Sequence, residues 1–230
     1  MMSPSPRDEL RIFSPCGQLG QGWDDSTFWN TLKDKRIDAI ILDAGSTDSG
    51  PGRLAQGKPN VPFVRLERDL NTLVKACHLF HVPIFVGSMG GDGENAHVDW
   101  AVKIIGELIQ KNGYRSMKVI GIHSEIPKKH VYEKLEAGLI EPCGEGVPEL
   151  TKHDIESSTR IVAQMGLEPY LKAMKDNPGL DIIIGGRAYD PAPFAAFCLY
   201  KGFTNMGRCL KLPSARVAIP SLLMIYIRAI

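Results

Sequence analysis

The chain has 230 residues, of which 43% are hydrophobic and 23% charged, and its formal net charge is +1. That length accommodates one large α/β domain or two small ones. The near-balanced charge offers no basic excess for nucleic acid and no basic cluster for a membrane surface, and no run reaches the roughly 18 apolar residues that a membrane span requires.

In chain order, residues 1–15 lack the apolar core of a secretory signal. A short strand is expected at 11–13, followed by a glycine loop over 14–22. Asp24 or Asp25 can cap a helix through about Leu32. The apolar run 37–42 predicts a buried strand. It leads straight into a loop dense in glycine, hydroxyl and carboxylate side chains, from Asp43 to Arg53. Leu66, Leu70, Leu73, Val74, Cys77 and Phe80 share one face of a helix over 66–80. A strand over 82–86 follows, with Pro83 at its start, where proline is tolerated.

A second glycine-rich loop covers 87–95. A helix is expected over 98–111, closed at Gly113, then a strand over 117–122 and a helix over 127–137. Thr151 and Asp154 have the spacing of a capping box and predict a helix running to Gln164. A second short helix covers 168–174. A strand over 180–184 precedes Gly185, Gly186 and Arg187, and a helix is expected from about Pro191 to Tyr200.

This alternation predicts a mainly parallel open sheet with helices on both faces, a Rossmann-like three-layer α/β fold. A single domain is expected over 1–212, with a divergent apolar tail over 213–230 that invites self-association. The five cysteines (Cys16, Cys77, Cys143, Cys198, Cys209) show no CxxC spacing. They read as reduced thiols of a cytoplasmic protein. Cys16 precedes glycines as a nucleophile would, but no histidine is paired with it in sequence.

Four strand exits are polar and rich in glycine, and in a parallel sheet they lie along one edge. The first carries Asp43, Ser46, Thr47 and Asp48. The second carries Ser88, Gly90, Gly91, Asp92, Asn95, His97 and Asp99. His123, Ser124 and Glu125 follow the next strand, and Arg187 and Asp190 the last. Residues far apart in sequence then converge on one cleft. Arg187, between glycines and a helix start, is suited to clamp a carboxylate or phosphate; a plain salt bridge to Asp43 or Asp190 is the alternative. No glycine loop matches a dinucleotide or Walker pattern, so no nucleotide cofactor is expected. A metal-free site is the expectation. A divalent metal shared by His97, Asp99, His123 and Glu125 is the alternative, although their spacing is not a recognised zinc pattern.

Three segments together resemble the acyclic terpene utilisation (AtuA-like) family: 42–51, from Leu42 to Pro51; 87–100, with Gly90, Gly91, Asn95, His97 and Asp99; and 185–196, with Arg187 and Asp190. The resemblance covers about 37–209. It implies a cytosolic enzyme of branched acyclic terpenoid metabolism acting on carboxylates or acyl-CoA esters. Members of the family are typically longer, and after Cys209 the chain departs from the family pattern.

The expected chemistry is lyase- or hydratase-like: hydration, dehydration or isomerisation next to a carbonyl. Arg187 would hold the anionic group, and backbone amides at Gly45–Ser46 and Gly90–Gly91 would stabilise developing negative charge. Asp43, His97 or His123 would move protons, with Asp99 or Glu125 orienting a histidine. Ser46, Thr47, Asp48, Ser88, Asn95 and Asp190 would line the substrate. A non-catalytic acyl-CoA or small-anion binder, or a metal-dependent hydrolase, are the alternatives.

Overall fold

A computed structural model describes residues 9–45, 50–203 and the backbone of 223–228. Ser46, Thr47, Asp48, Cys209 and 213–222 of the tail lie outside the described residues. Five apolar segments form parallel strands: β1 (Glu9–Ser14), β2 (Ala39–Asp43), β3 (Ile84–Gly87), β4 (Val119–Ile122) and β5 (Ile182–Gly185). A sixth, β6 (Leu223–Arg228), lies antiparallel to β1, giving the order β4-β5-β3-β2-β1-β6. Every residue of β3 and β5 is buried, as expected of strands covered on both faces.

The covering helices separate into two layers. On one side α1 (Asp25–Asp34), α3 (Phe63–Phe80) and α4 (Asn95–Lys111) bury Phe28, Leu66, Leu70, Val98 and Ile105 against Ile40, Leu42, Val86 and Ile184. On the other, α7 (Glu168–Asp176) and α8 (Ala192–Tyr200) bury Tyr170, Met174, Ala196 and Phe197 against Ile41, Phe85 and Ile183. Alternate residues of one strand thus serve opposite cores. The three-layer α/β architecture expected from the sequence is the one observed.

Local chemistry sets the boundaries. Asp24 caps α1, accepting from Thr27 N at 2.7 Å. Thr151 and Asp154 form a reciprocal capping box at α6 (Lys152–Ser157). That helix does not continue to Gln164. The Ser157 and Ser158 hydroxyls bond back to Asp154 O, offering the backbone an alternative to helix. The chain then extends past the end of β4, with Ile126 N on Ile161 O and Ala163 N on Ser124 O. The loop expected after β2 likewise contains a short helix, α2 (Gly50–Gln56). The early glycine loop is tied down by buried Asp69 of α3, whose Oδ2 accepts from Gly20 N and Gly22 N. α5 (Lys128–Glu136) packs against α6.

The order of connections positions the site. From β3 the chain turns to α4 on one face, whereas from β5 it turns to α8 on the other, and these two strands are neighbours. The chain therefore switches faces between these strands at the carboxyl edge of the sheet, the place where open α/β folds bind ligands.

Candidate functional site

The exits of β3, β4 and β5 are interlocked by direct bonds. Ser124 Oγ donates to Gly93 O at 2.8 Å and accepts from Arg187 N at 2.8 Å. Ser88 N donates to Gly186 O, and Met89 N to Gly185 O. Ser88 sits fully buried in the left-handed region at φ 49° and exchanges hydroxyl bonds with Ala188 O and N. A serine held there with both bonds made is a backbone position fixed from outside the loop.

Arg187 is 7% exposed. Its Nε donates to Gln164 Oε1 at 3.3 Å and its Nη1 to Gly91 O at 3.4 Å. Among the described residues no carboxylate lies within ion-pair distance of its guanidinium, so the salt bridge to Asp43 or Asp190 is not formed. A buried cation with two long hydrogen bonds to neutral oxygens keeps donors for an anion.

Asp43 ends β2 and faces this guanidinium. The point where a side chain on Gly45 would begin lies 2.7 Å from Arg187 Nη1 and 2.9 Å from Asp43 Oδ2. Ser88 Cβ lies 2.7 Å from the same point, so only glycine lets these three side chains close in here. Burial, with the Asp190 carboxylate adding to it, pushes the Asp43 carboxyl up to about 6; Gly45 N–H, Arg187 and the Ser88 hydroxyl offset this in part. Its Oδ1 is buried with no hydrogen-bond partner. Nearby Tyr170, fully buried on α7, also has an unpartnered hydroxyl, and its ionisation is pushed upward by burial and by Asp43. The Tyr170 hydroxyl occupies the space above Gly185 that any side chain there would need.

An acid whose folded-state value lies above its ordinary one binds its proton more tightly when folded. Asp43 therefore costs stability progressively as pH rises from about 4 through 6, and by a constant amount above. Asp43→Asn is expected to stabilise the protein by about 2 kcal/mol near pH 8 and to change it little near pH 4, a figure discounted for partial exposure. Urea midpoints across that range check it; a loss of stability at high pH would contradict the assignment.

The other candidates divide into two groups. His97 is buried, with Nδ1 2.8 Å from Asp92 Oδ1 and Nε2 3.4 Å from Glu94 Oε1. His123 pairs with Asp99 at 2.7 Å, both half-exposed or more. These two pairs do not form one four-ligand set. Glu125 does not face His123: its Oε1 accepts from Asn95 N at 2.8 Å, while Asn95 Oδ1 accepts from Ser124 N and Glu125 N. Asn95 and Glu125 thus join the start of α4 to the exit of β4. Gly91 N donates within its own loop to Ser88 O, and that amide is spent on the turn. Asp190 is exposed at the start of α8. Cys16 is buried, and burial pushes its thiol up to about 12, with Asp69 adding to the effect, the reverse of what a nucleophile needs.

Sequence reasoning placed Asp92 at the β3 exit without pairing it with His97, and missed Tyr170, Gln164 and the Glu94 carboxylate. Gly87 and Gly185 at the ends of buried strands signal a bulky neighbour, but not which residue supplies it. Comparison with protein-family models, curated proteins and solved structures finds no match to this chain.

Proposed function

We propose that the protein is an enzyme that moves a proton next to the carbonyl of a carboxylate or acyl-thioester substrate, with branched acyclic terpenoid acids as coenzyme A esters the expected class. The observation that carries this reading is the buried, carboxylate-free guanidinium of Arg187 opposite a carboxyl pushed up to about 6 at Asp43. Near neutral pH such a carboxyl is ionised enough to accept a proton and basic enough to hold it, the optimum for a general base. The substrate assignment within that class rests on the three sequence segments that resemble the acyclic terpene utilisation family.

In this mechanism Arg187 binds the substrate's anionic oxygen. Asp43 removes a proton from the adjacent carbon, and the negative charge that develops on the carbonyl oxygen is stabilised by the guanidinium. The proton on Asp43 returns to another carbon in an isomerisation. In a dehydration it leaves with the departing hydroxyl as water, and hydration is the reverse. The closed interlock of Ser88, Ser124 and Gly186 keeps both groups rigid, which limits the loss of orientation in the transition state.

The test is a thermal-shift screen of the full chain against acyl-CoA esters and short carboxylates, followed by incubation of the stabilising ligands in deuterated water. The expected result is deuterium entering the carbon next to the carbonyl, abolished in Asp43→Asn while binding persists. Binding without exchange would make the protein a small-anion or acyl-CoA binder. A cooperatively folding protein that none of these ligands stabilises would overturn the reading.

A further inference from the structure

A second group of polar side chains comes from the end of the Ser88–Gly93 loop and the start of α4. Asp92, Glu94 and His97 are 1%, 3% and 3% exposed. One donor atom from each lies within 4.8 Å of the others. Asp92 Oδ1 meets His97 Nδ1 and accepts from Glu94 N, but Asp92 Oδ2 is buried without any hydrogen-bond partner. Glu94 Oε1 is 3.4 Å from His97 Nε2; Glu94 Oε2 lies 2.8 Å from Arg160 Nε without the alignment of a hydrogen bond. Glu125 adds a third carboxylate to the field at Glu94.

The charges do not balance. Three carboxylates, those of Asp92, Glu94 and Glu125, gather where one guanidinium, that of Arg160, reaches Glu94 alone. Buried carboxylate oxygens without donors are costly. Phe63 packs against the His97 ring in an edge arrangement, with centroids 5.6 Å apart. Gly90, at φ 79°, leaves the space that the His97 ring fills. The loop thus gathers two buried carboxylates and one buried imidazole.

We propose that Asp92, Glu94 and His97 bind one divalent transition-metal ion of the Zn²⁺ or Mn²⁺ type. One divalent cation neutralises the carboxylate excess and gives Asp92 Oδ2 the partner it lacks. The donor set selects the ion: imidazole favours transition metals over Ca²⁺ and Mg²⁺, and the absence of sulfur among these three donors disfavours Cu⁺. Because Gly91 O in the same loop accepts from Arg187, the ion would hold the loop that positions the anion clamp. The site shares no residue with the Arg187–Asp43 pair, so either can fail alone.

The experiment is calorimetric titration of the EDTA-treated full chain with Zn²⁺ and with Mn²⁺, its fold checked by near-ultraviolet circular dichroism. One equivalent is expected to bind, with a raised melting temperature. Removing even an outer partner of a metal ligand costs 10–100-fold in affinity, so Asp92→Asn and His97→Gln are each expected to cost about 100-fold or more. In the unaltered chain, Mn²⁺ should broaden the NMR signals of His97 and Phe63 before those of His123, which locates the ion even where a variant fails to fold. No binding to the folded chain overturns the proposal. So does broadening centred on His123 and Asp99, or affinity unchanged in both variants.

Discussion

Gly93→Ala is expected to destabilise the protein by about 4 kcal/mol or more, the range reserved for changes that force backbone apart. Gly93 sits at φ 75°, where a side chain costs roughly 1–2 kcal/mol in left-handed backbone alone. A methyl there would also run into the backbone nitrogen and Cα of Arg187. Those atoms cannot rotate aside as a side chain tip can, because Arg187 N is bonded to Ser124 Oγ and Arg187 O to Met165 N. The exits of β3 and β5 would have to separate. At 2–4 °C per kcal/mol for a chain of this size, the melting temperature should fall by about 10 °C. Gly106→Ala is the control. Gly106 lies within α4 with nothing near the added methyl, and a helical glycine replaced by alanine should gain about 0.5–1 kcal/mol. Urea denaturation of both variants measures the contrast. A loss below about 1 kcal/mol at Gly93 would mean that the two exits are not locked together.

The same contrast shows which parts of the molecule were legible in the sequence. The strands were, because runs such as Ile40-Ile41-Leu42 and Ile182-Ile183-Ile184 are apolar on every residue and can only sit between two helical layers. α1, α3 and the start of α6 were, because Asp24, the Leu66–Phe80 stripe and the Thr151–Asp154 box act within a few residues of themselves. The convergence of Asp43, the Ser88–His97 loop, Ser124 and Arg187 on one edge followed from parallel order alone.

What escaped depended on contacts between distant residues. Helix propensity could not stop α6 at Ser157, because the following segment is claimed by pairing with Ser124 and Ile126. Asp69 is one carboxylate in a helix of mixed charge until Gly20 and Gly22 reach it. Asp92 is one of several polar residues at the β3 exit and Glu94 carries no signal of its own, and only burial reveals them as the partners of His97. The sequence pairing of His97 with Asp99, two residues apart, places them on different faces of α4, with Asp99 exposed beside His123. Side chains two apart on a helix do not face each other.

Arg187→Met is expected to abolish stabilisation by carboxylates or acyl-CoA esters while leaving a cooperative fold. Methionine keeps most of the buried volume and removes only the fork of donors. The bonds lost, to Gly91 O at 3.4 Å and Gln164 Oε1 at 3.3 Å, are long, and Gln164 is exposed to water that can replace its partner. A ligand at about 100 times its Kd adds about 2.7 kcal/mol to folding stability. The unaltered chain should therefore gain about 5–10 °C in such a screen, and the variant should gain none. Removing the guanidinium also removes the cation that offsets the burial of Asp43, so the carboxyl should rise further and any remaining exchange activity should begin at higher pH. Gly45→Ala separates recognition from charge. The added methyl would meet Arg187 Nη1, Asp43 Oδ2 and Ser88 Cβ, so it should displace the pair and weaken ligand stabilisation while the guanidinium charge is kept. A ligand shift that survives Arg187→Met in full would assign Arg187 to holding Gly91 and Gln164 alone, and the anion would have to be bound elsewhere on this edge.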